Sequence, residues 1–173
     1  MKLSEQTLEV LQNFSSINQS LLFKEGNVLK TVSPQKTVLA EVMVEDTFER
    51  QFGIYDLGQF LSAVSLMEEP ELELNDNSAN INDGNGTSID YRYADPSMIV
   101  TPPEKELTLP DVDASFIFTE DNLKDVLQAA RVLGLPEVIV EGVDGNIVVG
   151  AGDANNSSMN RYTKKVGKTE SEF

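Results

Sequence analysis

FTEDNLKDVLQ, residues 118–128, decides how this chain is organised, because it repeats the chain's own beginning, LSEQTLEVLQ at 3–12. Both place an apolar residue, a hydroxyl, a glutamate and, three residues after the glutamate, a leucine. A serine or threonine in that position can accept a hydrogen bond from the first helical turn, so each stretch predicts a capped helix start. Behind Thr119 the apolar stripe is Leu123, Val126, Leu127 and Ala130, with Gly134 as the stop. Behind Ser4 it is Leu8, Leu11 and Phe14 with Val10 beside them, and the helix ends near Ser16.

The agreement runs past the helices. EVIVEG (137–142) and NIVVGAG (146–152) read as strands around VDGNIV, and KEGNVL (24–29) stands at the corresponding turn of the first copy. Helix, strand, acidic-Gly-Asn turn and strand therefore recur in order, which is the signature of a duplicated unit. Within the first copy, SLLFK and NVLKTV predict a strand pair closed by hairpin chemistry, since glycine and asparagine accept positive φ. TVLAEVMVED and RQFGIYD add two strands. DLGQFLSAVSLM puts Leu57, Phe60, Leu61, Val64 and Met67 on one helical face, with Asp56 and Gln59 spaced as a capping box. ELELND, SANIND and TSIDYRYA then form a meander, giving helix, four strands, helix, three strands over residues 1–94.

Between the copies lies the proline-rich YADPSMIVTPPEKELTLPDVD (93–113), which has neither period and reads as an extended connection. The expected division is a first domain at 1–94, a connector at 95–114 and a second domain at 115–173. The second copy continues to NRYTKKV and ends at Phe173 without counterparts of the second helix and its strands. An incomplete second domain with an unpaired edge is the expectation.

Composition narrows the chemistry. There are 29 acids against 13 bases, a formal charge of -16, and neither cysteine nor histidine. Disulfides, thiolate chemistry, soft metal sites and imidazole-based triads are excluded. No apolar run reaches membrane-spanning length, so no membrane partner and a cytosolic location are expected. NDNSANINDGNG (75–86) lacks the terminal glutamate and flanking helices of a calcium loop and reads as a polar hairpin turn. Glu68, Glu69, Glu71 and Glu73 read as a solvated strand edge, NNSS (155–158) carries no weight as a sequon in a cytosolic chain, and neither metal nor cofactor is expected.

Tandem units of strands with two helices each, joined by a long crossover, form the layout of DNA sliding clamps. The residues themselves resemble the clamp family of T-even bacteriophages, within the proliferating-cell-nuclear-antigen-like superfamily. MKLSEQTLEVLQNFSSIN, IYDLGQFLSAVSL, YADPSMIV and GVDGNIVV carry the resemblance, spread over most of the chain in the family's order. It implies an α+β clamp fold and a head-to-tail ring of three subunits around duplex DNA that tethers the DNA polymerase and catalyses nothing. It further implies a clamp loader and late-transcription factors as partners, and the cytoplasm of an infected bacterial host.

By position in that family, Lys2, Lys124 and Arg131 are the DNA-facing candidates. Ile99, Val100, Pro102 and Pro103 are the candidates for docking a partner's tail. Asp90 and Tyr91 on one edge, and Arg161, Lys164 and Lys165 on the opposing edge, are the subunit-interface candidates. Two other readings stay open: an acidic DNA mimic that binds basic proteins, and a carboxylate-based hydrolase, for which no pair of acids stands out.

Overall fold

The computed structural model describes residues 1–105, 112, 114–170 and 172–173. Part of the expected connector, 106–111 and 113, lies outside them. The chain divides into two compact units, Met1–Glu106 and Leu107–Phe173.

The first unit opens with α1 (Glu5–Ile17). Ser4 caps it, its Oγ accepting from Thr7 N at 3.2 Å, and Ser4 N donates to Asp46 Oδ2 at 2.8 Å. Leu11 and Phe14 are buried at helical spacing, so the apolar stripe sits where the period puts it. At the other end Asn18 breaks the helix. Its Nδ2 donates to Val32 O at 2.9 Å and Val100 O at 3.3 Å, tying the helix end to a strand and to the connector.

The strands are β1 (Leu21–Phe23), β2 (Gly26–Val32), β3 (Leu39–Phe48) and β4 (Phe52–Ile54). Their pairing corrects the expected hairpin. β1 pairs antiparallel with β4, and β2 with β3, so β1 and β2 lie in different sheets. Gly26, at φ 110, turns a corner between the sheets instead of closing a ladder. The aromatic residues decide this. Phe23 stacks on Phe52 with centroids 4.4 Å apart and meets Phe48 edge-on at 4.9 Å, a cluster that only the β1–β4 pairing assembles.

α2 (Leu57–Val64) follows, with Asp56 Oδ1 accepting from Gln59 N at 2.8 Å. Only this half of the capping box forms, since the Gln59 side chain turns to the Tyr91 hydroxyl, 3.1 Å away. β5 (Glu71–Leu74), β6 (Ser78–Asn82) and β7 (Ser88–Arg92) form the meander, in that order. Asp83 turns inward in the β6–β7 loop, accepting from Asn85 N at 2.8 Å and Thr87 N at 3.0 Å, which accounts for the polar turn. Met1 joins this sheet's margin: its ammonium donates to Leu72 O at 2.6 Å and Leu72 N returns a bond at 2.7 Å.

The second unit holds α3 (Glu120–Leu133) and the sheet β10–β9–β8, from β8 (Glu137–Val143), β9 (Asn146–Gly152) and β10 (Tyr162–Lys168). Thr119 caps α3, and Gly134 ends it at φ 65. Here the glycine turn does close a hairpin: Asp144 at φ 50 and Gly145 at φ 72 join β8 to β9. A close approach also requires glycine at 150, where a Cβ would sit 2.2 Å from Tyr162 O.

The α3 stripe is a core face only in part. Val126 is fully buried, against Leu135, Val149 and Ala151, but Leu127 is 50% exposed and Leu123 41%.

Candidate partner groove and subunit edges

Because β1 and β2 part at the Gly26 corner, Leu22 and Val28 line one wall of a cleft of about 210 Å³, with Pro102 and Pro103 opposite. Lys24 and Lys30 stand at its rim with Glu25 and Glu104. Lys24 Nζ lies 3.7 Å from Glu104, and Lys30 Nζ 2.9 Å from Glu41. Pro102 and Pro103 are thus brought to a groove, and the sequence reading had missed the wall facing them. The signal is Leu22 and Val28, apolar residues either side of a glycine turn whose local chemistry reads equally as a hairpin.

Ile99 does not line this groove; its side chain packs inward instead. It is 7% exposed, and a Cβ on Gly53 would lie 2.6 Å from its Cδ1. A 3-10 turn at Pro96–Met98, capped by Asp95, drives the Ile99 side chain onto the bare backbone of Gly53, and Ala94 N bonds to Gly53 O at 2.9 Å. Val100 is 40% exposed while its carbonyl is held by Asn18. The start of the connector is therefore pinned, and the segment from Val100 to Glu104 meets solvent.

The interface candidates fall on or beside sheet margins. β7 ends one three-stranded sheet and β10 the other, and among the described residues neither has a second strand partner. Asp90 on β7 is exposed and accepts from Asn80 Nδ2 at 3.0 Å. Tyr91 packs edge-on to Phe60 at 5.2 Å, with its hydroxyl 3.0 Å from Asp56 O. Burial, with Asp56 nearby, pushes that phenol above its ordinary value. On the opposing margin Arg161 already pairs with Glu141, and Lys164 with Asp125, whose hydrogen bond holds the ammonium above its ordinary value. Lys165 is exposed.

The DNA-facing candidates differ in the same way. Lys2 Nζ lies 3.4 Å from Glu69, and Lys124 lies 2.7 Å from Glu120 one turn earlier on α3. Arg131, in the last turn of α3, has no ion-pair partner among the described residues. Its charge complements the helix C-terminus.

Comparison with known proteins gives these margins a setting. A family described as DNA polymerase processivity factor matches residues 2–101. The sliding clamp of Vibrio phage KVP40 is 32% identical over 98% of this chain and 79% of its own length. The sliding clamp of Enterobacteria phage T4 is 30% identical over 99% of this chain and 77% of its own, and that of Escherichia phage RB69 is 31% identical over 86% and 65%. Among solved structures, the Proliferating Cellular Nuclear Antigen of Entamoeba histolytica superposes with a TM-score of 0.60 at 8% identity, covering 96% of this chain and 74% of that one. The DNA polymerase III beta chain of Streptococcus pneumoniae gives 0.55 at 15% identity, covering 96% and 50%. The structural likeness carries the α+β clamp fold, and the sequence matches carry the descent: this chain belongs to the DNA polymerase processivity factor family.

Proposed function

We infer that this protein is a sliding clamp, a ring of three copies that encircles duplex DNA and tethers a DNA polymerase without catalysing a step itself. The family match over residues 2–101, with sliding clamps of phages KVP40 and T4 similar over nearly the whole chain, carries the reading, and β7 and β10 each end a sheet with no second strand partner among the described residues. A strand margin with open donors and acceptors is a template for another chain. Joining β7 of one copy to β10 of the next is a head-to-tail contact, which closes a ring when the rotation per copy permits. Asp90 and Tyr91 would then lie against the Arg161, Lys164 and Lys165 margin, and 1–94, 95–114 and 115–173 serve as domain, connector and domain.

Such a ring holds DNA by topology, so its phosphate contacts can be few and weak. Lys2, Lys124 and Arg131 supply them, and the chain's net charge of -16 keeps the outer surface from binding DNA. The groove at Pro102 and Pro103, with Leu22 and Val28 and with the exposed Val100 just before it in the chain, receives the tail of the polymerase; the clamp loader and late-transcription factors are further partners, in the cytoplasm of an infected bacterium.

Light scattering across a concentration series, followed by retention on nicked circular against linear DNA, tests the reading. A trimer mass with retention on circles only is the expected result. A monomer or dimer that binds basic proteins in a salt-sensitive way, and is retained on neither DNA, would favour the acidic mimic instead.

A further inference from the structure

We propose that Asn85–Gly86, in the loop between β6 and β7, is a spontaneous modification site: the asparagine closes on the glycine nitrogen, loses ammonia and reopens with water, mainly as isoaspartate. That product loosens the hairpin leading into β7.

Asn85 is the one asparagine of the chain followed by glycine. Without a Cβ, Gly86 leaves its nitrogen open to approach and can take the backbone angles that ring closure demands; it stands at φ 103, with nothing within 4 Å of where a Cβ would be. Both residues are exposed, and neither the Asn85 side chain nor Gly86 N has a hydrogen-bond partner among the described residues. Nucleophile and electrophile are therefore adjacent and unheld. Other asparagines before small residues differ. Asn156 precedes Ser157, but its Oδ1 accepts from Ser158 N at 3.2 Å and Ser158 Oγ at 2.6 Å. Asn77 precedes Ser78, which is buried in β6.

The step needs no co-reactant but water. Gly86 N gives its proton to solvent base and bonds to Asn85 Cγ; the bond from Cγ to Nδ2 breaks, and Nδ2 leaves as ammonia with a proton from solvent. Water then opens the cyclic imide. Attack at the Asn85 main-chain carbonyl leaves Gly86 bonded to Cγ, an isoaspartate with one extra carbon in the main chain, while attack at Cγ gives aspartate.

The loop is sensitive to that carbon. Asp83 Oδ1 accepts from both Asn85 N at 2.8 Å and Thr87 N at 3.0 Å, and Asp83 N donates to Thr87 O at 3.2 Å. The bonds from Asn85 and Thr87 hold the Asp83 carboxyl below its ordinary value, so it is charged. Lengthening the chain between Asn85 and Thr87 breaks this shared grip, and the new carboxylate repels Asp83. The Asn82–Ser88 pair that closes the hairpin lies next to it.

The full chain is aged in mildly alkaline and mildly acidic buffer and followed by peptide mass spectrometry, with electron-transfer fragmentation to separate isoaspartate from aspartate. A gain of ~1 Da at Asn85, about tenfold faster than at Asn156, faster in alkali and mainly as isoaspartate, is the expected result. Gly86→Ala should slow it. Because alanine is strained at φ 103, Asn85→Gln is the companion variant: its longer side chain closes a less favourable ring and should stop the reaction at this site. Amide exchange over residues 86–89 should be faster in the aged chain than in the fresh one, and faster than in Asn85→Asp, which adds the charge without the carbon. An Asn85 as slow as Asn156, or a rate that ignores Gly86→Ala, overturns the site. Modification with exchange unchanged, or matched by Asn85→Asp, overturns the loosening.

Discussion

At the residue scale, Asp46 shows how one side chain on β3 secures the start of α1. Partial burial pushes its carboxyl up, but hydrogen bonds from Thr7 and from the backbone and side chain of Ser4 outweigh this and leave it below the ordinary 3.8. A carboxyl depressed in the folded state adds stability that is present above its unfolded value and is lost as pH falls through the folded one. Melting temperature should therefore fall below pH ~4 more steeply in the native chain than in Asp46→Asn, with the two curves converging at the acid end. Parallel curves from neutral to acid pH would show that Asp46 is not linked to folding. Ser4 itself was legible in the sequence as a cap. Asp46 was not, because nothing local marks an acid 42 residues away as the partner of that amide.

At the element scale, α1 and α3 begin alike and finish differently. Ser4 and Thr119 both cap, and Leu11 and Val126 are both fully buried. Packing then separates them. α1 lies against α2 and the β2–β3 sheet, whereas α3 has only three strands, and Leu123 and Leu127 stay half exposed. Val126→Ala should cost about 1.5–3 kcal/mol in urea unfolding, and Leu127→Ala under about 1 kcal/mol. Similar costs for the two would mean that something covers Leu127 in solution. The hydrophobic period marks which residues can share a face, but not how wide a surface awaits them.

The hairpin expected from SLLFK and NVLKTV belongs to this scale as well. Lys24, Glu25 and Gly26 offer the same turn chemistry to a hairpin and to a corner between sheets. The choice lies with Phe23, which reaches Phe52 across the β1–β4 pairing. The same turn chemistry at Asp144 and Gly145 does make a hairpin, because β8 and β9 pair along seven residues. The groove exists because the first of these turns did not.

At the scale of the whole molecule the two units differ in their means of staying folded. Among the described residues, one core gathers 17 buried hydrophobic residues, from Leu3 to Ile81, while the cluster around Val126 gathers four, so these residues of the second unit bury far less apolar surface to resist opening. Limited proteolysis and amide exchange should reach β8, β9 and β10 before β1–β4 in the free chain. Protection of the second unit should rise with protein concentration if β10 is covered by a neighbouring copy. Equal protease resistance of the two units at low concentration would contradict this.

The sequence by itself determined the local architecture: the caps at Ser4, Asp56 and Thr119, the helical periods, the glycine turns, the order of elements in the first unit and the repeat that relates the two units. These depend on residues within a few positions of one another, where propensity and spacing act directly. Only the tertiary structure decided which strand β1 joins, and that Ile99 is packed over Gly53 while Pro102 and Pro103 face a groove. Those outcomes turn on competition among partners distant along the chain, settled by aromatic packing and close backbone approach that no local pattern encodes.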